Sequence, residues 1–124
     1  MKKGLYYPTL DQTSYSTTEI DTGMTWIDGN TIYKTTVDFG YLPNATTKTV
    51  LHNISNIDVI VKTEAFASNT SGLTYPIPFT NLSNLEGQVR MYAGREGIQM
   101  VTGIDRSGLY AYVTLYYTKQ AAQS

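Results

Sequence analysis

The strongest alternating pattern of apolar and polar positions lies in residues 109–119, which contain no Gly or Pro and many β-branched and aromatic side chains. One parity is aliphatic enough to face a core, and the other presents rings and hydroxyls to a wetter surface or a partner sheet. The inward set is Ala111, Val113, Leu115 and Tyr117, and the outward set is Tyr110, Tyr112, Thr114, Tyr116 and Thr118. The pattern predicts a long strand with one face on the hydrophobic core.

A hairpin is predicted earlier in the chain. Asp28-Gly29-Asn30 supplies residues that tolerate positive φ between two strand-like segments. The second segment runs to Phe39 and is expected to pair with the segment that contains Trp26.

Four more runs have strand character, and Gly, Pro, Asn and Ser clusters separate them. They are residues 46–51, 57–66, 88–92 and 98–102. The expected core face of the second run is Ile57, Val59, Val61, Thr63 and Ala65. The last two runs and residues 109–119 are expected to form a meander of three neighbouring strands. No window of ten or more residues free of Gly and Pro has a helical period, so the prediction is all-β, a single antiparallel β-sandwich of about seven short strands.

The chain of 124 residues fits one domain. Residues 1–21 have little periodicity and are interpreted as an extended N-terminal arm, with Leu5, Tyr6 and Tyr7 as a candidate anchor. The β-sandwich is expected over residues 22–119 and a short tail over residues 120–124. The polar passage at residues 67–87 is expected to be a functional loop or a cover over one end of the sheet.

Composition excludes several kinds of chemistry. The chain has no cysteine, so thiol nucleophiles, disulfides and Cys-based zinc sites are absent. A net charge of −1 with 15% charged residues disfavours nucleic acid and anionic lipid as partners. No run is long enough for membrane insertion, and the N-terminus does not have the apolar core of a signal peptide, so synthesis and release in a cytoplasm are expected. No metal and no cofactor is expected.

The candidate catalytic residues are isolated. Asp21-Thr22-Gly23 matches the core of the aspartic-protease signature, and a dimer would supply one Asp from each subunit, but the flanking residues favour a turn. His52, the single histidine, has no Gly-x-Ser-x-Gly nucleophile to serve and is interpreted as a turn residue. Of the carboxylates, the best candidates for the catalytic pair of a glycosidase are Glu64, Glu86 and Asp105, but the sequence does not show the distance between them. The protein is therefore not expected to be an enzyme.

Several polar residues are expected to serve turns. Arg106 is interpreted as a solvated turn charge, with pairing to Asp105 or to a carboxylate across an interface as the alternative. Asn-x-Ser/Thr matches are interpreted as turn chemistry rather than glycan acceptors, and they occur at Asn44, Asn53, Asn69 and Asn81.

Tyrosine is the main compositional bias, with 11 Tyr beside 3 Phe and 1 Trp. Tyr either fills strand faces or forms an exposed adhesive surface, because its ring is rigid and its tip is polar. A candidate adhesive loop contains Asn69, Tyr75, Pro76 and Pro78. Outward rings at Tyr110, Tyr112 and Tyr116 would leave an apolar patch on a monomer, so an oligomer interface is expected there. The alternative is that the second sheet or the N-terminal arm of the same chain covers these rings.

A set of motifs in order resembles a small domain that recurs in bacteriophage and prophage virion proteins, where it usually ends tail-fibre, baseplate or head-fibre chains. The resemblance covers about residues 15–119. The segments that carry it are Tyr15-Ser16-Thr17-Thr18-Glu19, Trp26-Ile27-Asp28-Gly29-Asn30-Thr31-Ile32-Tyr33-Lys34, Leu42-Pro43-Asn44, His52-Asn53-Ile54-Ser55-Asn56-Ile57-Asp58, Pro76-Ile77-Pro78, Thr102-Gly103-Ile104-Asp105-Arg106-Ser107 and Ala111-Tyr112-Val113-Thr114-Leu115-Tyr116-Tyr117-Thr118-Lys119.

This resemblance implies a β-sandwich on the virion, commonly oligomeric, without catalysis and in contact with the host surface. In the resembling proteins the domain commonly follows a long fibrous or multidomain chain, whereas only some twenty residues precede it here. That difference favours a short head-fibre, decoration or tail-fibre-type protein, assembled in the host cytoplasm and docked on capsid or tail proteins through its arm. Because phage fibres are typically threefold, a homotrimer is expected, with host-surface glycans as candidate ligands. A free bacterial glycan-binding module and the dimeric aspartic protease are the alternatives.

Overall fold

The computed structural model describes residues 13–80, 83 and 85–121. This part of the chain is all-β, with eight strands and one short 3-10 helix at Leu85–Gly87. The strands are β1 (Ile20–Thr25), β2 (Thr31–Tyr41), β3 (Thr47–Leu51), β4 (Ile57–Ser68), β5 (Thr74–Ile77), β6 (Val89–Ala93), β7 (Gly97–Thr102) and β8 (Tyr110–Lys119). The candidate anchor residues Leu5, Tyr6 and Tyr7, the Asn81 match and residues 122–124 of the expected tail lie outside the described residues.

Two antiparallel sheets form a β-sandwich, as the pattern predicts. The five-stranded sheet has the order β1-β2-β8-β4-β5, and the three-stranded sheet has the order β3-β7-β6. Side chains from both sheets meet in one core, which includes the inward residues of β8, Ile98 and Met100 of β7 and Val89 of β6.

Strand β8 is the centre of the larger sheet, because it pairs with β2 on one side and β4 on the other. Its predicted inward set is confirmed, since Ala111, Val113, Leu115 and Tyr117 are all 0% exposed. A strand with neighbours on both sides has every backbone group in a ladder and one side-chain face in the core, which explains its unbroken apolar parity.

The predicted hairpin near Trp26 is also confirmed. Strands β1 and β2 pair across a turn in which the Gly29 amide donates to the Trp26 carbonyl at 2.9 Å, and Gly29 has φ of 85°. Only glycine adopts that conformation without steric cost, which is why the sequence signal was strong. Strand β1 starts at Ile20, within the stretch interpreted as an arm.

The predicted three-strand meander is wrong. Strands β6 and β7 do form a hairpin, but β7 pairs next with β3, and β8 belongs to the other sheet. The segment between β7 and β8 crosses from one sheet to the other along the end of β2. Its Arg106 amide donates to the Pro43 carbonyl at 3.1 Å, and the Leu109 carbonyl accepts from the Leu42 amide at 2.9 Å. The expected turn is present, since the Leu109 amide donates to the Arg106 carbonyl at 3.0 Å, but these bonds to residues 42–43 carry it into the other sheet.

The predicted core face of β4 is wrong in part. Ile57 is buried and Ala65 packs against the core, but Val59 is 42% exposed and Thr63 is also exposed. The pairing of β4 with β8 shifts register on both sides of Ile60. Each shift changes which face of the sheet the following side chains occupy. Core-facing and solvent-facing residues therefore do not alternate strictly along β4.

The polar passage at residues 67–87 contains more regular structure than expected. Strand β5 pairs with the end of β4, and a 3-10 helix follows. Pro76 is tolerated in β5 because this is an edge strand, where a missing amide donor leaves no neighbour unpaired.

Candidate functional site

The outward face of the five-stranded sheet is the candidate site. Because the strands pair in register, outward side chains form rows across the sheet. In one row Asp38 of β2 is opposite Tyr112 of β8, Tyr112 is opposite Phe66 of β4, and Phe66 is opposite Pro76 of β5. In the next row Tyr41 is opposite Tyr110.

Four rings in these rows touch one another, and we call them the aromatic strip: Phe66, Tyr112, Tyr110 and Tyr41. The centroid distances are 5.9 Å from Phe66 to Tyr112, 5.5 Å from Tyr112 to Tyr110 and 4.9 Å from Tyr110 to Tyr41. Phe66 is 44% exposed, Tyr112 39% and Tyr41 58%. The strip is therefore a continuous aromatic surface, open to solvent and carried by three paired strands.

A groove of about 450 Å³ lies beside the strip. Phe66 and Tyr112 form part of its lining, and the hydroxyls of Thr36 and Thr114 share a hydrogen bond of 2.8 Å there. The other lining residues are Tyr15, Glu64 and Ala65. The groove combines ring surface with hydroxyl and carboxylate groups, which is the usual composition of a site for a polar small molecule.

Tyr15 covers the far end of this face. Its hydroxyl donates to Glu64 Oε1 at 3.3 Å, and Lys34 Nζ lies 4.7 Å from the centre of its ring. The neighbouring Ser16 carbonyl accepts from the Thr36 amide at 2.8 Å, which fixes the segment against β2. Residues from the N-terminal part of the described chain therefore close one end of the groove.

Tyr116 lies at that closed end and is only 8% exposed. The expectation that it contributes an exposed ring to the outward face is wrong, whereas Tyr110 and Tyr112 do lie in the aromatic strip. The Tyr116 hydroxyl donates to Glu64 Oε1 at 2.9 Å, and Lys62 Nζ lies 4.9 Å from the centre of the Tyr116 ring. For the Tyr116 ring, the structure supports the alternative interpretation, in which the N-terminal arm of the same chain covers it through Tyr15.

The electrostatics of the face follow from three tyrosine–carboxylate bonds, of which the bond from Tyr15 to Glu64 is described above. The hydrogen bond from Tyr116 is the main cause that lowers the pKa of Glu64, and Lys62 at 3.3 Å adds to it. Burial, and then the bond to Glu64, raise the pKa of Tyr116. The Tyr110 hydroxyl donates to Asp38 Oδ1 at 2.6 Å, and this bond raises the pKa of Tyr110 to about 12. These bonds orient both hydroxyls, which are protonated at neutral pH as in any tyrosine.

The predicted adhesive-loop residues separate in the structure. Asn69 is a turn residue, because its Oδ1 accepts from the amides of Ser71 and Leu73 at 3.0 Å each. The Tyr75 ring packs edge-on against Phe79, with centroids 5.1 Å apart. Of the four predicted residues, Pro76 is the cross-strand neighbour of Phe66, next to the strip.

Pro78 is exposed and follows a cis peptide bond with Ile77. The predicted loop therefore borders the candidate site through β5 rather than forming an irregular adhesive end.

Arg106 is not a solvated turn charge. Its guanidinium lies 5.5 Å from the ring centre of Tyr75 and 5.6 Å from that of Phe79, and its Nη2 donates to the Gly87 carbonyl at 2.5 Å. Asp105 accepts instead from Ser107, both from its hydroxyl at 2.6 Å and from its amide at 2.9 Å. Arg106 therefore ties the crossover segment to the end of the sandwich by cation–π contact.

The candidate catalytic residues have structural partners. Asp21 Oδ1 accepts from the Gly23 amide at 2.8 Å within an irregularity of β1, where Gly23 has φ of 78°. His52 Nδ1 accepts from the Ile54 amide at 3.1 Å, so Nε2 carries the proton and donates to the Gly94 carbonyl at 2.7 Å. Each of these groups is occupied in holding a turn or a bulge.

A second polar cluster lies at the end of the sandwich near β1. Glu19 accepts from the buried Tyr117 hydroxyl at 2.6 Å and pairs with Lys119 at 2.8 Å, while Thr35 shares a hydrogen bond of 2.7 Å with the same hydroxyl. Burial first, and then the bond to Glu19, raise the pKa of Tyr117. The mutual pairing of these groups is typical of a structural network.

Sequence reasoning missed most of the candidate site. Phe66 was on the outward parity of its run, so a signal existed, but it was not connected with Tyr112. Tyr41 lies beyond Phe39, where the second segment of the hairpin was expected to end, because the register shift between Asp38 and Gly40 hides the continuation of β2. Tyr15 gave no signal, since its contacts with Lys34 and Glu64 are entirely tertiary.

Among residues 13–80, 83 and 85–121, no group of three or more His, Cys, Asp or Glu side chains is arranged to hold a metal ion. Within the same described ranges, none of the helical structure is long and apolar enough to cross a membrane. Comparisons with protein-family models, with curated proteins and with solved structures found no match to this chain.

Proposed function

We propose that this protein is a non-enzymatic structural component of a bacteriophage virion, of the head-fibre, decoration or tail-fibre type, that contacts the host cell surface. The observation that carries the contact role is the aromatic strip, an exposed ring surface on the rigid central strands of the larger sheet. The virion setting rests on the resemblance over residues 15–119, which implies a β-sandwich.

The segments that carry the resemblance have architectural positions in this fold. The segment at residues 26–34 contains the β1–β2 turn, the segment at residues 111–119 is most of β8, and the segment at residues 102–107 begins the crossover between sheets. Asp21 and His52 hold local backbone geometry, which supports a structural rather than a catalytic use of these side chains.

The test is mass spectrometry of purified particles produced by the strain that encodes the protein. We expect the chain in the particles at a fixed ratio to the capsid or tail proteins, surviving a density gradient. Its absence from the particles would overturn the proposal. Deleting the gene should leave particles that lack this component, and adsorption to host cells measures the contact role.

Oligomeric state is part of the proposal, with a homotrimer expected. Light scattering should be done on the full chain and on a chain beginning at Thr13, which keeps Tyr15 and Glu19 and removes the expected anchor. A trimer in both forms supports an interface within the described fold, and a trimer lost on truncation moves the interface to residues 1–12. A monomer in both forms contradicts a homotrimer.

A free glycan-binding module is the second candidate function, favoured by the same aromatic strip. It predicts protein in the culture supernatant with no association with particles. The dimeric protease predicts a pepstatin-sensitive cleavage that Asp21→Asn abolishes, and a protein without such activity contradicts it.

A further inference from the structure

We propose that the aromatic strip and the adjoining groove bind an uncharged pyranose oligosaccharide. This inference deepens the proposed function and rests on it only for the biological setting, since it concerns the ligand that the outward face of the larger sheet accepts. The site consists of the four rings of the strip together with Asp38, Glu64 and the hydroxyls of Thr36 and Thr114.

The rings supply stacking surface. Phe66, Tyr112 and Tyr41 are between 39% and 58% exposed, so their surfaces remain open to a ligand. The C–H groups on one side of a pyranose ring meet the negative face of an aromatic ring favourably, while the sugar hydroxyls point away from it. Successive centroid distances of 4.9–5.9 Å make the strip longer than a single ring, which favours an oligosaccharide over a monosaccharide.

Hydrogen-bonding groups flank the rings on both sides. Asp38 is exposed beside Tyr112 and Tyr110, and its Oδ1 already orients the Tyr110 hydroxyl. Glu64 and the paired Thr36 and Thr114 hydroxyls line the groove. Carboxylates accept from sugar hydroxyls through charge-assisted bonds, and hydroxyls either donate or accept.

Charge decides between sugar classes. Among the described residues that line the strip and the groove, the charged groups are Asp38 and Glu64. Lys62 is engaged with Glu64 at 3.3 Å, and Lys34 lies against the Tyr15 ring. A sugar acid would bring a like charge next to Asp38, which is unfavourable. The site therefore favours an uncharged saccharide over uronic or sialic acids.

The shape favours a small polar ligand over a second copy of the chain or a peptide. The groove is concave, so in a two-fold contact the same hollow would face itself and stay unfilled. A threefold contact, which joins two different surfaces, is distinguished from a glycan site by the oligomeric state of Phe66→Ala below. The site lies on β2, β8 and β4, which are interior strands of the sheet, so a peptide finds no free backbone edge to extend there. A ligand held by ring faces and side-chain hydrogen bonds fits these conditions.

The test is isothermal titration calorimetry of the full-length protein with maltohexaose, cellohexaose and triacetylchitotriose, with trigalacturonate as the charged comparator. An array of uncharged and acidic bacterial surface glycans extends the panel. We expect at least one uncharged glycan to bind with Kd of about 1 mM or tighter and the acidic ones to bind at least tenfold more weakly. No binding by any uncharged glycan, or equal binding by acidic ones, would overturn the inference.

Variants locate the site. Phe66→Ala and Tyr112→Ala are expected to weaken binding at least tenfold, and Phe66→Tyr is expected to retain it because the ring remains. The matched control is Tyr92→Ala, since Tyr92 is 56% exposed on β6 of the other sheet. Thermal unfolding of each variant checks that the fold is kept. Equal loss in Tyr92→Ala and Phe66→Ala would refute this location, and so would an oligomer that dissociates only in Phe66→Ala, because a second copy would then occupy the strip.

The two proposals fail separately. Glycan binding by a protein absent from particles would overturn the virion role and support the site. Presence in particles without binding to any uncharged glycan would support the virion role and overturn the site.

Discussion

Strand β8 carries two tyrosines on the same outward parity that end in opposite environments. Tyr112 is 39% exposed in the aromatic strip, whereas Tyr116, four residues later, is 8% exposed. Tyr116 lies between Lys62 and Lys34 at the end that Tyr15 covers, and its hydroxyl bonds to Glu64. Tyr112 has Phe66 and Asp38 as cross-strand neighbours, and its ring stays part-exposed among the described residues.

The difference shows how one sheet face is divided between stability and contact. At the covered end, Glu64 accepts hydrogen bonds from both the Tyr15 and the Tyr116 hydroxyls. These bonds hold the N-terminal segment against the sandwich. The open end leaves its rings to solvent on the same rigid strands. Contacts with the N-terminal segment hold the covered end of this face in one conformation. We therefore expect a smaller loss of conformational entropy when a ligand binds at the open end.

The largest expected effect separates the two tyrosines directly. Tyr116→Ala removes a buried ring and leaves Glu64 with fewer donors, so we expect a loss of about 3 kcal/mol in the free energy of unfolding. Tyr112→Ala removes a ring that is already part-exposed, so we expect a loss of about 1 kcal/mol or less. Urea denaturation of both variants measures the contrast, and equal losses would contradict the division of the face.

A smaller effect is expected from removing the cover. Tyr15→Ala deletes the ring beside Lys34 and the hydroxyl that donates to Glu64, and we expect a loss of about 1 kcal/mol in the free energy of unfolding. The matched control is Tyr41→Ala, because Tyr41 is 58% exposed and Tyr15 is 61% exposed. We also expect the NMR signals of the Tyr116 ring to move only in Tyr15→Ala. A larger loss in the Tyr41 variant would count against the cover.

The covered end is also expected to make the free energy of unfolding depend on pH in the acid range, by less than the loss in Tyr15→Ala. The pKa of Glu64 is lowered in the folded protein, so its contribution is present above the unfolded pKa near 4.5 and is lost as pH falls through the folded value. The side chain is 40% exposed, so solvent screening keeps this contribution below about 1 kcal/mol. Glu64→Gln should therefore flatten the stability profile below about pH 4.5. An unchanged acid limb in this variant would show that the Tyr116–Glu64 bond contributes nothing.

At the open end the effect is on titration rather than on stability. The bond to Asp38 raises the pKa of Tyr110 to about 12, so any stability it adds is complete below pH 10 and is lost as pH rises through about 12. Asp38→Asn should bring the titration of Tyr110 down towards the ordinary value of about 10. Ultraviolet titration of tyrosinate, with Tyr110→Phe to assign the signal, measures this. A curve that Asp38→Asn leaves unchanged would mean that the hydroxyl is not bonded to Asp38 in solution.

Sequence patterns predicted the parts of the fold that depend on neighbouring residues along the chain. The β1–β2 hairpin followed from Asp28-Gly29-Asn30, and the inward set of β8 followed from alternation, because a central strand has one face wholly in the core. The same alternation was misleading in β4, where register shifts on both sides of Ile60 leave Val59 exposed. A bulge depends on the partner strand, which the local pattern does not contain.

The candidate site was predictable only in pieces. The outward positions of Tyr110 and Tyr112 followed from parity, and Pro76 was chosen for a loop that lies in fact beside Phe66. Their assembly into one surface depends on which strands pair, because β8 lies between β2 and β4 instead of beside β7. Pairing between distant segments is set by the packing of the whole core.

By itself, the sequence determined that the chain is an all-β sandwich and which side of β8 faces the core, since the period of apolar residues is a local property of each strand. Only the tertiary structure decided the strand order, the bulges of β4, the burial of Tyr116 under Tyr15 and the meeting of Phe66, Tyr112, Tyr110 and Tyr41 in one strip. The physical reason is that an outward side chain is exposed or covered according to what packs over it, and that neighbour comes from a distant part of the chain.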